Sequence, residues 1–393
     1  MKRGVNFFGS FETEDGIGRA AALNVECLKS TGMPVRDFVL SRPVALQTGN
    51  DTIIDDNLLR SLDHRVNIFQ FSARWVPHYF SRLAAGAMDG FYNIGYWFCE
   101  VPKIPEQWAR QFQFFDEIWT ASSFCQSAFA RSANIPVVRI PLYIEPQEVS
   151  ARIVARSSGV DCGPFRFLTI FNTYSDAERK NALFSLRAFV EAHGNNPSVR
   201  LTIKVSNLEH DILLSQKLSD ISKTYSNIDI IAGYVPSTAI HRLYDEADAY
   251  VSLHRAEGFG LTISDAMSRG IPVIATGYSG NMEFCDASDT TLVGYELREV
   301  GHNRLRYRND DVWAEPNMKQ AIAAFRDMTL HYPAMLEKAI KARSRIRRHF
   351  SINEVGGLMS ERLDLIGSDF SYSNDLDGRQ IDREVDIFDT YGF

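Results

Sequence analysis

His254-Arg255-Ala256-Glu257-Gly258-Phe259-Gly260-Leu261, running into Thr262-Ile263-Ser264-Asp265-Ala266-Met267, decides how this chain is read. A glycine-bracketed turn opens there into a short amphipathic helix, with one carboxylate before the turn and another inside the helix. Ala249-Tyr250-Val251-Ser252-Leu253 before it reads as a buried strand, and Ile271-Pro272-Val273-Ile274-Ala275-Thr276 after it as the next. Strand, glycine turn, helix, strand is a βαβ unit, and its turn lies where open α/β sheets bind ligands. Backbone N–H groups freed by the turn and by the helix N-terminus suit a phosphate. Carboxylates at 257 and 265 suit sugar hydroxyls, because ionised carboxylates accept hydrogen bonds from O–H donors. A phosphate seat beside hydroxyl acceptors points to a sugar nucleotide.

Glu257-Gly-Phe-Gly-Leu-x-x-x-Asp265-Ala-Met, followed by Gly270-x-Pro272-Val273-Ile274-Ala275-Thr276, resembles the signature of glycosyltransferase family 4. That resemblance implies retaining enzymes of the GT-B fold: α/β, with two Rossmann-like doubly wound domains facing a cleft and a C-terminal helix crossing back to the first. The family carries a Glu-x7-Glu pair, and this chain departs from it with Asp265 at the second acid. One methylene less shortens the reach by roughly the rise of one helical residue. By resemblance, Glu257 contacts the donor sugar's hydroxyls and Asp265 its ribose. The amides of Phe259, Gly260 and Leu261 hold sugar and phosphate.

Length and composition agree with this reading. A chain of 393 residues, 45% hydrophobic and 23% charged, is long enough for two soluble domains, each with its own core. A net charge of −7 argues against a general nucleic-acid binder, which needs a basic face. Five cysteines, scattered and without a CxxC, fit free thiols in a reducing compartment better than disulfides or zinc. No apolar run approaches the ~20 residues of a membrane span, and the N-terminus lacks a signal-peptide core. The expectation is a cytoplasmic protein with peripheral contact at the inner face of the membrane left open.

Short apolar runs alternate with helical patterns along the first half, from Gly4–Phe8 through Val66–Phe71, Phe91–Phe98, Phe115–Thr120 and Val137–Pro141. A second series starts at Phe165–Phe171 and continues through Leu201–Val205, Ile228–Ala232, Ala249–Leu253 and Pro272–Ala275. The expected division is an acceptor-side domain over 1–145, a linker without periodicity over 146–164, a nucleotide-sugar-binding domain over 165–350, and a crossover helix with a polar tail over 351–393.

Further candidates cluster at expected strand ends. Tyr174-Ser175-Asp176-Ala177-Glu178-Arg179-Lys180-Asn181 places two cations after a strand, where a donor diphosphate needs its charge neutralised. The stretch resembles the family's diphosphate-binding loop, with Lys180 matching its lysine. Ser175 stands where many members carry arginine, so Arg179 takes that role or is a surface charge. Lys204 is a third cation at such an edge, its alternative being a side chain reaching solvent. Gly277-Tyr278-Ser279-Gly280-Asn281-Met282-Glu283 resembles the family's second donor loop, with Gly280 and Asn281 as candidate contacts. In the first half, Gly16-Ile17-Gly18-Arg19 opens a helix whose amides face a phosphate or an acceptor hydroxyl, and Gly16 and Gly18 are counted as donor-binding. Trp97-Phe98-Cys99-Glu100 resembles a Trp-x-x-Glu segment of polysaccharide-building members, which makes Glu100 a candidate for acceptor or sugar contact, against a buried or capping role.

The candidate catalytic residues are therefore Glu257, Lys180 and Glu100. The donor-binding set is Asp265, Arg179, Lys204, Phe259, Gly260, Leu261, Gly280, Asn281, Gly16 and Gly18, with no metal and no cofactor beyond the sugar-nucleotide substrate. The implied reaction moves a hexose from a nucleotide diphosphate sugar, GDP-mannose ahead of UDP-sugars, to a hydroxyl of a glycan or lipid-linked acceptor. Two other classes stand beside it. An NAD-type oxidoreductase would use Gly16, Gly18 and Asp37 as a G-x-G-x-x-A fingerprint, although seven positions separate Gly9 from Gly16 where a tight turn wants two or three. A non-catalytic sugar-nucleotide or glycan-binding protein of the same fold is the other. Arg74-Trp75-Val76-Pro77-His78-Tyr79-Phe80-Ser81-Arg82 has the composition of a membrane-surface segment, with core packing the favoured alternative. His254 is either a donor contact or a histidine satisfied inside the sheet edge. Asp375-Leu376-Asp377, in the acidic tail, is assigned no metal.

Overall fold

Among the described residues, twelve short strands form two parallel sheets. The computed structural model describes residues 3–11, 15–40, 52–301 and 307–373. The first sheet holds β1 (Val5–Gly9), β2 (Val35–Val39), β3 (Val66–Gln70), β4 (Tyr92–Tyr96), β5 (Glu117–Thr120) and β6 (Val137–Arg139), in the order β2-β1-β3-β4-β5-β6. The second holds β7 (Phe165–Asn172), β8 (Val199–Ser206), β9 (Ile228–Ala232), β10 (Ala249–Ser252), β11 (Val273–Thr276) and β12 (Thr291–Val293), in the order β12-β11-β10-β7-β8-β9. Every pairing in both is parallel. Parallel strands are covered on both faces, and so their runs are near-continuously apolar. β1, β3 and β11 are buried along their whole length.

In the second sheet the winding reverses between β7 and β10, and in the first between β1 and β3. Ligands bind outside the carboxyl ends of strands at such switch points. The segments there are the two cation- and glycine-rich stretches of the second half and, in the first, the end of β1 and the start of the helix at Gly16.

The helices that matter to the site are α1 (Gly16–Ser30), α2 (Ser123–Ala130), α3 (Ala151–Ser157), α4 (Ala177–Lys180), α5 (Ala182–His193), α6 (Leu261–Ser268), α7 (Tyr332–His349) and α8 (Ile352–Ser373). α8 returns from the second half to pack along α1. Gly356 lets it approach, since a Cβ there would lie 2.8 Å from the Cys27 carbonyl oxygen. Arg362 then reaches into the first sheet, its Nε 3.0 Å from Oε1 of Glu117, a fully buried carboxylate also held by Trp119 and Tyr92.

The segment expected as a structureless linker contains α3. Arg152 and Arg156, one helical turn apart, both reach the buried Asp248 carboxylate at 2.9 and 2.7 Å, so an ion cluster fixes the helix. A hairpin of β13 (Tyr295–Glu299) and β14 (Val312–Pro316) was also absent from the strand series. All five cysteines are free, four of them buried. Among the described residues no helix is long and apolar enough to cross a membrane. The tail with Asp375-Leu376-Asp377 lies outside the described residues.

Candidate donor site

The glycine turn is pinned from behind. Ser279 Oγ accepts from the Glu257 amide at 2.7 Å, and the Gly280 amide donates to the Glu257 carbonyl at 2.8 Å. That approach leaves no room at 280, where a Cβ would fall 2.1 Å from the Gly258 carbonyl oxygen. Gly260 then turns through φ +102°, a conformation open to glycine, and N-caps α6 without any side chain bonded to the helix end. The Ile263 and Ser264 amides donate to the Gly260 carbonyl, which leaves those of Leu261 and Thr262 at the start of α6 to face an anion.

The loop after β7 brings the cations. Asp176 (φ +72°) and Asn181 (φ +56°) bracket Arg179 and Lys180 in left-handed backbone, which marks a segment held by its surroundings. Asp176 caps α4 by accepting from the Glu178 and Arg179 amides, and Asn181 donates to the Leu253 carbonyl at 3.0 Å. Lys180 Nζ is consequently 2.5 Å from Glu257 Oε1, and Arg179 Nη1 is 3.3 Å from Oε2. Burial alone would raise the Glu257 carboxyl, but Lys180 and Arg179 outweigh it and hold it at about 2. Burial pushes the Lys180 ammonium below its ordinary value, with Glu257 opposing. Arg179 also lies 3.9 Å from Glu100, which puts a carboxylate of the first half on the same cluster.

Asp265 faces the other way across the cleft. Arg19, in the first turn of α1, clamps it with both terminal nitrogens, Nη2 donating to Oδ1 at 2.7 Å and Nη1 to Oδ2. The two glycine turns nearly touch, with the position of a Gly16 Cβ 3.9 Å from Leu261 Cδ1.

Residues 176–295, which carry the turn, the cation loop and Asp265, match the model of the family described as glycosyl transferases group 1. That stretch, about a third of the chain, is similar to a group 1 glycosyl transferase domain. Over 274 residues it is 23% identical to O-antigen chain mannosyltransferase B of Escherichia coli, a stretch covering 64% of this chain and 68% of that one. HepE of Anabaena, solved with UDP and glucose, superposes with a TM-score of 0.66 at 13% identity, over 92% of this chain and 99% of the other. Sucrose-phosphate synthase of Thermosynechococcus elongatus gives 0.68 at 12% identity, over 94% and 100%. The fold is GT-B.

Several expected residues sit differently from the reading of the sequence. Arg179 is not a surface charge: it is 4% exposed and folds back so that its Nε donates to the Ser175 carbonyl, the position where the resemblance expects an arginine. Lys204 neither reaches solvent nor joins the cluster. It is 1% exposed, and its ammonium is spent on the Gly233 carbonyl at 2.5 Å and Ser206 Oγ at 3.1 Å. The Asn281 side chain is also spent, its Oδ1 3.0 Å from His254 Nε2 and its Nδ2 donating to the Thr276 carbonyl. His254 Nε2 faces the Tyr278 carbonyl and Asn281 Oδ1, Nδ1 lies 3.0 Å from both Ser252 Oγ and the Ser252 carbonyl, and burial pushes the ring below its ordinary value. This histidine props the 277–283 loop. Phe259 is buried, its ring packed on Phe284 at 4.9 Å.

In the first half, Asp15 accepts from the Ile17 and Gly18 amides at 2.9 Å, so the Gly18 amide is already satisfied by its own cap. Asp37 pairs with Lys29 at 3.4 Å from the middle of β2, short of the strand end where a ribose carboxylate belongs, which removes the dinucleotide fingerprint. Val76, Tyr79 and Phe80 are buried in the first-half core, so the aromatic segment with Arg74 is packing. Arg19 and Ser279 had no assigned role in the sequence. The available signal was a cation in the first turn of α1, where the helix dipole disfavours it and a carboxylate partner is required.

Proposed function

We propose that the protein transfers a hexose from a nucleoside diphosphate sugar to a hydroxyl of a glycan or lipid-linked acceptor, with retention of anomeric configuration. The observation that carries the reading is the Lys180–Glu257–Arg179 cluster lying beside the uncapped N-terminus of α6. Donor phosphates would take the α6 amides together with the two cations, and Glu257 and Asp265 would accept from sugar and ribose hydroxyls. The bond from the sugar's anomeric carbon to the phosphate oxygen breaks as charge grows on that oxygen, and Lys180 neutralises it. The acceptor oxygen forms its bond on the same face and passes its proton to the departing phosphate. Glu100, beside Arg179 at the cleft, faces the acceptor side. Closure of the two halves excludes water from the oxocarbenium-like state.

GDP-mannose is the first donor of choice, supported by the mannosyltransferase relative, and UDP-sugars are next, supported by the UDP-bound structural neighbour. The test is incubation with GDP-mannose, UDP-glucose and UDP-N-acetylglucosamine plus an oligosaccharide acceptor, with and without EDTA, read by NMR of the new anomeric proton. An α-linked product from an α-linked donor, unaffected by EDTA, is expected. An inverted product, or loss of activity with EDTA, contradicts the mechanism.

A further inference from the structure

Arg19 lies outside the 176–295 segment that carries the family's match, yet its guanidinium is the group closest to the second carboxylate of the donor site. Two of its five N–H donors occupy one lone pair on each Asp265 oxygen. A carboxylate accepts about four hydrogen bonds, which leaves the outer pair of sites for a vicinal diol. The pair is half-buried: the Arg19 side chain is 38% exposed and that of Asp265 13%, and Glu145 approaches Nη2 only to 4.0 Å, so Arg19 keeps an open side toward the cleft. The fork does fix the plane of a carboxylate one methylene shorter than the family's glutamate, which a lysine in its place would not.

We propose that Arg19 is a positioning residue for the donor. From the first half it orients Asp265 toward the ribose hydroxyls, so that donor affinity depends on the two halves being together. This rests on the sugar-nucleotide reading above.

The experiment is titration calorimetry of the full-length protein with GDP and UDP, and with their 2′-deoxy forms, on wild type, Arg19→Ala, Arg19→Lys, Asp265→Asn and the Arg19→Ala/Asp265→Asn double variant. For the nucleotide that binds, each single variant should weaken affinity at least tenfold, with the double variant no weaker than the weaker single one. Wild type should favour ribose over 2′-deoxyribose, and both Arg19 variants should lose that preference. Arg139→Ala, which removes a separate cross-cleft pair with Glu283, should leave affinity within twofold and serves as the control for a purely structural contact. Should Arg19→Ala fail to fold, Arg19→Lys carries the same comparison. An Arg19 variant that binds as wild type with the ribose preference intact overturns the inference alone, as do additive losses in the double variant. Failure of wild type to bind either nucleotide overturns the donor reading itself.

Discussion

Lys180 and Glu257 are 2.5 Å apart inside the protein: Lys180 helps hold Glu257 charged, and Glu257 opposes the burial that pushes Lys180 down. In the proposed reaction, removing Lys180 takes away the cation that would neutralise the leaving group, an effect of the same kind as deleting an oxyanion donor. Lys180→Ala should therefore lower kcat by about 10²- to 10³-fold, measured under saturating donor. The same pair sets an acid limit. Glu257 titrates at about 2 when folded against an ordinary 4.5, so between those values only the unfolded chain takes up the proton. This contribution to stability is whole above about pH 4.5 and lost as pH falls toward 2. Urea unfolding across that range should show the loss in wild type, and Glu257→Gln should lack that component. Both residues were legible in the sequence because each lies in a contiguous motif. The Arg19–Asp265 pair was not, since its members are 246 positions apart and only the closed cleft joins them.

The 277–283 loop is shaped by close backbone approach. A methyl at 280 would meet the Gly258 carbonyl oxygen at 2.1 Å and its carbon at 2.3 Å, neither of which a rotamer change relieves. Gly280→Ala should thus cost about 1–3 kcal/mol, lowering the melting temperature and displacing Glu257. Strands of both sheets were readable because parallel strands are buried on both faces and read as continuous apolar runs. β13 is exposed at all five positions, so it carries no such run. α3 buries Ile153 alone, too little for a 3.6-residue periodicity to register. Its true signal was the arginine pair one turn apart, aimed at an aspartate in another part of the chain.

α8 binds the two halves into one molecule through a charge rather than through apolar packing alone. Arg362→Ala would leave Glu117 fully buried with only the Trp119 and Tyr92 donors, and breaking such a pair costs about 3 kcal/mol. Chemical denaturation should register that loss, and hydrogen exchange should show α8 amides losing protection ahead of the sheets. The crossover of this helix was legible from the family resemblance. Its anchor in β5 was not, because a glutamate inside a strand gives no sign of which arginine will meet it. The central claim, that the cleft between the halves is a sugar-nucleotide site built on Lys180, is tested most directly by thermal shift of wild type and Lys180→Ala against GDP, UDP, ADP, their sugar conjugates and NAD. One nucleoside diphosphate, at about a hundred times its dissociation constant, should stabilise wild type by ~2.7 kcal/mol and Lys180→Ala far less. No shift with any sugar nucleotide, or an equal shift in both proteins, would contradict it.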